Sequence, residues 1–263
     1  MINLEQKKRI VDKIGSNILT DRQKNINIDS LKHLVEQICF IKDKNIEVVV
    51  VSSGAIASGS AYLGFTPTTI SEKQAAAAVG QVVLMENYQK EFNKRGYKIA
   101  QILLTKDGIM DEKRANLASN TFKELIQRKV IPIVNENDSV AIEEIRFSDN
   151  DNLSSLVSVL INADLQIFLT DIDGLYDLDP RCNKDAKLLP RITELQDNLI
   201  ESIDSSASGA GKGGMRSKVK AAKYLMENGI DVIIANGLQK NILMDIYNGK
   251  TYGTKFICPK KGK

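Results

Sequence analysis

Val130-Ile131-Pro132-Ile133-Val134-Asn135-Glu136-Asn137-Asp138 is the stretch on which the fold assignment depends. Its first five residues are apolar, which predicts a short buried strand over residues 130–134. Acidic and amide residues follow directly, and their side chains can bind an amino or carboxylate group. The stretch therefore predicts a buried strand with a polar site at its end. Turn formation and helix capping are the alternative, and they are the commoner role of Asn and Asp in any single stretch.

A second polar cluster, Ser148-Asp149-Asn150-Asp151-Asn152, follows a segment with strand-like alternation at residues 140–147. It precedes an apolar stretch at residues 153–163. An Asp in such a place can orient lysines or a metal ion, and it can equally cap a helix. Two such clusters at the ends of buried elements indicate a site that holds a polar group.

Apolar, β-rich runs alternate with amphipathic stretches along the chain. The predicted strands are residues 9–14, 47–51, 98–104, 130–134, 165–170 and 231–235, and the predicted helices are residues 30–44, 72–95, 112–128, 152–162 and 215–228. This alternation predicts an α/β fold with a largely parallel sheet and helices on both faces. No repeat, linker or composition shift marks a second domain. The longest irregular region, residues 171–190, is expected to be functional or mobile.

Composition narrows the classes of function. The chain has 43% hydrophobic and 26% charged residues, which is typical of a soluble globular protein. A net charge of +3 without a basic stripe gives no reason to expect nucleic acid. We expect neither a signal peptide nor a membrane-spanning segment. Cys39, Cys182 and Cys258 form no C-x-x-C pair, which disfavours zinc and disulfide frameworks and favours a reducing cytoplasm.

His33 is the only histidine, and it falls within the predicted helix of residues 30–44. We expect it at the surface or at the boundary of the core. Histidine metal sites and Ser-His-Asp hydrolysis are therefore poor candidates. The chemistry must rest on Lys, Asp, Asn, Ser and glycine-rich backbone, with or without a borrowed metal ion.

Ligands of open α/β sheets bind beyond the carboxyl ends of the strands. Small or polar residues follow these ends here, namely Gly15-Ser16, Ser52-Ser53-Gly54, residues 135–138, Thr170-Asp171 and Asn236-Gly237. The ligand is therefore expected to be polar. Ser52-Ser53-Gly54 is predicted to open a helix whose exposed N–H groups receive a carboxylate or phosphate. An ordinary N-cap and turn explain the same three residues about equally well.

Gly209-Ala210-Gly211-Lys212-Gly213-Gly214 matches the G-x-G-x-x-G pattern, but no strand precedes it, as a dinucleotide site would require. We interpret it as a glycine loop that leads into a helix near Met215 and wraps phosphates with backbone N–H groups. Lys212 and Lys218 flank this loop. A mobile surface loop is the alternative interpretation.

Lys13 lies inside the first predicted strand. A lysine in a core strand is costly unless its ammonium group reaches a partner at the strand end. Alternation could instead place Asp12 and Lys13 on opposite faces of an exposed strand. We favour a functional role because Gly15-Ser16 follows directly.

These motifs, in this order, resemble those of the glutamate 5-kinases in the amino acid kinase superfamily. The resemblance is carried by Lys13-Ile14-Gly15-Ser16, Ser52-Ser53-Gly54-Ala55-Ile56, Asn135-Glu136-Asn137-Asp138, Asp149-Asn150-Asp151-Asn152-Leu153-Ser154, Thr170-Asp171-Ile172-Asp173-Gly174-Leu175-Tyr176, Asp179-Pro180-Arg181 and Gly213-Gly214-Met215 with Lys218. It covers the chain from Arg9 to about Phe256. It implies a three-layer α/β/α sandwich in a single domain, with a glutamate-binding lobe at about residues 9–164 and an ATP-binding lobe at about residues 165–257.

The resemblance also implies roles for individual residues and an ATP-dependent phosphorylation of the glutamate side-chain carboxylate with Mg²⁺. The implied catalytic residues are Lys13, Lys218 and Asp151, with Asp151 keeping the two lysines in place. The implied glutamate site is Ser53, Gly54, Asp138 and Asn150. The implied ATP site is Lys13, Gly15, Thr170, Asp171, Lys212, Gly213, Gly214, Met215, Arg216, Ser217 and Lys218. No protein metal site is expected.

Proline as a feedback inhibitor, a glutamyl phosphate reductase as pathway partner and a homo-oligomer are further implications of the resemblance. Two features depart from the family pattern: Asp12 stands where many relatives have an apolar residue, and we expect no C-terminal PUA domain of the RNA-binding type. The alternatives are a sibling kinase acting on N-acetylglutamate, aspartate or a nucleoside monophosphate, a non-catalytic sensor on the same fold, and, more distantly, a nicotinamide oxidoreductase.

Overall fold

The computed structural model describes residues 2–21, 23–141, 150–195 and 212–258, and within these ranges eight strands form one sheet. The strands are β1 (Arg9–Ile14), β2 (Glu47–Ser52), β3 (Ile99–Leu104), β4 (Ile131–Glu136), β5 (Leu165–Thr170), β6 (Arg191–Ile192), β7 (Asp231–Asn236) and β8 (Thr254–Phe256). The helices are α1 (Ser16–Leu19), α2 (Ile28–Asp43), α3 (Ala55–Leu63), α4 (Ile70–Asn93), α5 (Lys106–Met110), α6 (Glu112–Gln127), α7 (Asn150–Leu160), α8 (Lys212–Glu227) and α9 (Ile242–Tyr247). A 3₁₀ turn, Leu4–Gln6, precedes β1.

The strand order is β3-β4-β2-β1-β5-β7-β8-β6. The first six strands in this order pair in parallel, whereas β8 runs antiparallel to β7 and β6 is parallel to β8. The chain passes from β1 to β2 on one side and reaches β5 on the other side of β1. The boundary between β1 and β5 is therefore a topological switch point, where open α/β sheets bind their ligands.

Helices cover both faces of the sheet, and three apolar clusters fill the space between the layers. One face packs against α2, α4 and α9, through side chains such as Leu34, Leu84 and Leu243. The other face packs against α6 and α7 over its first half and against α8 over its second half. Alternate residues of the buried strands point to opposite faces, so both faces need apolar side chains. This arrangement confirms the predicted three-layer α/β/α fold.

All six predicted strands are present, but two polar clusters lie inside elements and not beyond them. Strand β4 continues through Asn135 and Glu136, because these residues pair with Leu103 and Leu104 of β3. Helix α7 begins at Asn150, two residues before the predicted start. Helix α8 begins at Lys212 and not near Met215. Strand pairing and the first turns of helices thus include polar residues that lie outside the strands and helices predicted from the apolar pattern.

Helices α3 and α4 cross in direct backbone contact. A Cβ on Gly59 would lie 1.8 Å from the carbonyl oxygen of Ala76, and one on Gly80 would lie 1.8 Å from that of Ala55. The capping box formed by Thr69 and Glu72 fixes the start of α4. Because only glycine permits this approach, α4 holds the beginning of α3 in a fixed position.

Several sequence predictions can be compared with the described residues. His33 is exposed on α2, as expected, and its ring lies 2.7 Å from the carbonyl oxygen of Asp29. All three cysteines are free thiols. Among the described residues, no helix is long and apolar enough to cross a membrane. The alternation at residues 142–147, the stretch Ser148-Asp149, the loop residues 209–211 and the side chain of Lys212 lie outside the described residues.

Candidate active site

Two lysines from distant parts of the chain meet one carboxylate at the switch point. Lys13 Nζ of β1 lies 2.5 Å from Asp151 Oδ1, and Lys218 Nζ of α8 lies 3.1 Å from Asp151 Oδ2. All three side chains are buried. The strand alternation turns Lys13 toward the face that carries α7, because Val11 packs in that face's core. The cost of burying a lysine in β1 is thus offset by an ion pair at the first turn of α7.

Asp151 stays ionised in this environment. Burial opposes its ionisation, but the two ammonium groups outweigh burial and hold the pKa of the carboxyl below its usual value. The three charges sum to one net positive charge. Lys218 Nζ also donates to the carbonyl oxygen of Gly214 at 3.1 Å. Both lysines are therefore held in place, and the net positive charge of the cluster can attract an anionic ligand.

Asn150 at the start of α7 links the carboxyl ends of β2 and β4. Its Nδ2 lies 2.9 Å from Asn135 Oδ1, 3.0 Å from Ser53 Oγ and 3.2 Å from the carbonyl oxygen of Ser52. Asn135 Oδ1 also accepts from the backbone N–H of Glu136. Within the described residues, the buried Asn150 Oδ1 and Asn135 Nδ2 have no hydrogen-bond partner. One unused acceptor and one unused donor therefore remain buried here, as expected where a polar ligand is bound.

Ser53 and Gly54 form the turn between β2 and α3. Gly54 is the N-cap of α3 and has φ 104°, a left-handed conformation that favours glycine. The prediction that Ser52-Ser53-Gly54 opens a helix is therefore confirmed. Asp138 lies two residues beyond the end of β4 and is largely buried. The carboxyl ends of β2 and β4 thus carry a hydroxyl group, a helix start and a carboxylate.

Thr170 and Asp171 follow the neighbouring strand, β5. Thr170 Oγ1 lies 3.2 Å from Asp171 Oδ1, and the N–H of Gly237 donates to the carbonyl oxygen of Thr170. The N–H of Gly15 donates to the carbonyl oxygen of Leu169 at 3.1 Å, so the turn after β1 lies directly against the end of β5. Asp171 is exposed and available to a ligand.

The glycine-rich segment forms the first turns of α8. Gly214 and Arg216 are exposed, Met215 and Ser217 are half-buried, and Lys218 is buried. Gly213 lies in the first turn of α8, beside Lys212, whose side chain is not described. Lys218 thus lies one turn beyond Gly214 in a glycine-rich helix start, and helix starts are suitable places for phosphate groups.

Three neighbours of the site are not among the individual site residues that the sequence predicts. Asn135 anchors Asn150, Asn17 Nδ2 of α1 donates to Asp171 Oδ2 at 2.8 Å, and the Tyr88 hydroxyl lies 3.1 Å from Ser52 Oγ. Asn135 carries a detectable signal, since it is an amide at the end of a buried strand. Asn17 and Tyr88 act through contacts between elements, which no local pattern records.

No group of three or more His, Cys, Asp or Glu residues is placed to hold a metal ion in the described ranges.

The arrangement defines a class of protein: an α/β/α sandwich that places a buried lysine pair at a topological switch point, beside two helix starts. The model of the amino acid kinase family matches residues 8–236. The chain is 46% identical to a glutamate 5-kinase of Clostridium perfringens over 99% of this chain and 98% of the relative. It is 44% identical to a glutamate 5-kinase of Clostridium tetani over 98% of this chain and 97% of the relative.

Solved structures share the fold at much lower identity. A UMP kinase of Bacillus anthracis superposes with a TM-score of 0.65 at 16% identity, covering 95% of this chain and 96% of that chain. An isopentenyl phosphate kinase of T. acidophilum gives a TM-score of 0.65 at 17% identity, covering 94% and 99%. These two likenesses establish the fold alone. The chain belongs to the amino acid kinase family, and within it to the glutamate 5-kinases.

Proposed function

We propose that this chain transfers the γ-phosphoryl group of Mg-ATP to the side-chain carboxylate of L-glutamate, giving glutamyl 5-phosphate for proline biosynthesis. The observation that carries the proposal is the joint contact of Lys13 and Lys218 with Asp151. Full-length similarity to glutamate 5-kinases supports the choice of substrate.

The acceptor needs no general base. A glutamate side chain has a reference pKa of about 4.3, so its carboxylate is already ionised at neutral pH. A carboxylate oxygen attacks the γ-phosphorus, the bond from phosphorus to the β,γ-bridging oxygen breaks, and ADP leaves. No proton moves in this exchange. The absence of a catalytic histidine therefore fits the reaction.

The barrier is the approach of an anion to a polyanion, so catalysis consists of positioning and charge neutralisation. Lys13 and Lys218 would stabilise the oxygens of the transferring phosphoryl group and the leaving phosphate. Asp151 would orient both ammonium groups and take up no proton. Backbone N–H groups near Gly15, Gly54 and Gly214 would add dipoles that need no reorganisation.

The two ligands would lie on opposite sides of the switch point. Ser53, Gly54, Asp138 and Asn150 would hold glutamate in the lobe of residues 9–164. Lys13, Gly15, Thr170, Asp171 and residues 212–218 would hold ATP, largely in the lobe of residues 165–257. The lysine pair at the boundary would then meet both ligands. Mg²⁺ would neutralise the phosphates as part of the Mg-ATP complex.

The proposal includes the location of the protein in the cell, its regulation and its partners. A cytoplasmic location fits free thiols at all three cysteines, because disulfides are rare in reducing compartments. The family resemblance supports proline as a feedback inhibitor, a homo-oligomeric state and a separate reductase that consumes the labile acyl phosphate.

The experiment that tests the substrate is ADP formation with a panel of acceptors. Wild-type protein should release ADP from Mg-ATP with L-glutamate and much less with N-acetylglutamate, aspartate or UMP. Acetylation removes the ammonium group that Asp138 would pair with. Activity with N-acetylglutamate therefore distinguishes a glutamate kinase from an N-acetylglutamate kinase. Faster ADP release with any other acceptor would contradict the proposal.

Replacing Asp138 with alanine should raise the KM for glutamate by at least about tenfold, since losing one partner of a buried charge pair costs several kcal/mol. The KM for ATP should change little. Asp138→Asn keeps the shape without the charge and should show a similar increase. An unchanged glutamate KM in the folded variants would remove Asp138 from the amino-group site.

A further inference from the structure

A buried tyrosine contacts the carboxyl end of β2 from the helix layer that lies on the face of the sheet opposite to α7. Tyr88 on α4 and Ser52 at the end of β2 are both fully buried, and the two hydroxyl oxygens lie 3.1 Å apart. The Tyr88 ring stacks on Phe92, with ring centroids 6.2 Å apart, within the core between the sheet and α2, α4 and α9. Packing thus fixes the ring and, with it, the position of the hydroxyl group.

The hydrogen bonds around Ser52 have a defined direction. Ser52 Oγ donates to the carbonyl oxygen of Ser53 at 3.2 Å, because a carbonyl can only accept. Because the Ser52 hydroxyl has a single hydrogen, both contacts can be made at once only if Tyr88 donates to Ser52. Burial raises the pKa of the Tyr88 phenol, which keeps that hydrogen in place. The order is Tyr88 to Ser52 to the Ser53 carbonyl group.

Fixing the Ser53 carbonyl group also fixes the N–H of Gly54. The two groups share one trans peptide, so they point in opposite directions. The Ser53 carbonyl is held on the Ser52 hydroxyl, and the N–H of Gly54 therefore points away from it. Within the described residues this N–H makes no hydrogen bond, and it stands at the start of α3.

We propose that Tyr88 is a positioning residue for phosphoryl transfer, acting through Ser52 to orient the Ser53–Gly54 peptide and so to direct the N–H of Gly54 at the reacting anion. This inference rests on the proposed function. The carbonyl oxygen of Ser52, the residue through which the relay passes, lies 3.2 Å from Asn150 Nδ2. One phenol on the far side of the sheet thus acts on the glutamate side of the site.

The test is Tyr88→Phe, which removes only the hydroxyl group. We expect kcat/KM for glutamate to fall about tenfold, because a misdirected donor costs less than the hundredfold typical of a lost one. The KM for ATP should stay within about twofold, since the relay ends on the glutamate side. Tyr97→Phe is the matched control: it removes a tyrosine hydroxyl that bonds to Asp43, away from the site.

A double-mutant cycle separates a relay from two independent effects on activity. Ser52→Ala should lower kcat/KM for glutamate at least as much as Tyr88→Phe, and the double variant should be no worse than Ser52→Ala alone. Additive losses, or a folded Tyr88→Phe enzyme with wild-type kcat/KM, would overturn the inference. Either result would leave the proposed function intact, because both are measured against a wild type that is active on glutamate. A wild type inactive on glutamate would instead remove the proposed function itself.

Discussion

Lys218→Ala is expected to lower kcat by about a hundredfold or more, the range found when one preorganised electrostatic donor is lost. Lys218 contributes the ammonium group that joins α8 to Asp151. In the proposed mechanism this group neutralises charge where the phosphoryl group passes. The measurement is steady-state ADP formation at saturating glutamate and Mg-ATP. The fold should survive, because Asp151 keeps its 2.5 Å contact with Lys13.

Lys220→Ala is the matched control for this substitution. Lys220 lies on the same helix two residues further along, and its side chain is exposed. It should leave kcat unchanged, which separates the loss of one particular ammonium group from a general loss of positive charge. A folded Lys218→Ala protein with nearly wild-type turnover would rule out the role assigned to Lys218.

Asp12 is expected to make the stability of this protein depend on pH. It lies on the face of β1 that carries Ile10 and Ile14, and its strand neighbours Val50 and Ile167 belong to the same apolar core. Within the described residues its Oδ1 has no hydrogen-bond partner. Burial raises the pKa of this carboxyl from 3.8 to about 7.

The sign follows from proton binding. Between pH 3.8 and about 7 the unfolded chain has lost the Asp12 proton while the folded chain retains it. The native state thus binds more protons, so this group's contribution to stability falls as pH rises, by about 1.4 kcal/mol per pH unit. The loss is complete above the folded pKa, where it amounts to about 4 kcal/mol.

The measurement is the free energy of unfolding by denaturant at several pH values from 5 to 8.5. Asp12→Asn cannot ionise, so its advantage over the wild type should grow by about 2–3 kcal/mol from pH 5 to pH 8. Asp12→Val should be more stable than the wild type at pH 8, because it also removes the buried polar group. The exposed Asp185→Asn is the control. Parallel pH profiles for wild type and Asp12→Asn would show that Asp12 does not titrate in this range.

The fold could be predicted because alternating apolar runs are a local signal. Parallel strands buried on both faces are nearly continuous in Val, Ile and Leu, and β2 and β5 show this plainly. The ends of strands and helices were predicted less accurately than their existence. The pairing of Asn135 with Leu103 lengthens β4, and nothing within residues 130–138 specifies that partner. The short strands β6 and β8 likewise owe their existence to pairing with each other and with β7.

The candidate site was predictable where the sequence places a charged or polar residue in a segment expected to be buried, because such burial is unfavourable without a partner. Lys13 in a core strand demanded a partner, and the structure supplies Asp151. The polar clusters at residues 135–138 and 150–152 stood out for the same reason. Tyr88 gave no such signal, because a tyrosine in an amphipathic helix is ordinary and its partner Ser52 lies in another layer. The functional roles of all these residues stay predictions.

The central claim is that a carboxylate oxygen of glutamate receives the phosphoryl group, and a hydroxylamine trap tests it most directly. An acyl phosphate reacts with hydroxylamine to give a hydroxamate, whereas phosphate esters and free phosphate do not. Purified protein with Mg-ATP should yield hydroxamate with L-glutamate and little with N-acetylglutamate or aspartate. Lys218→Ala should lower the rate of hydroxamate formation by about a hundredfold or more. Hydroxamate formed mainly from another acid, or none from any acid despite ATP binding, would contradict the account.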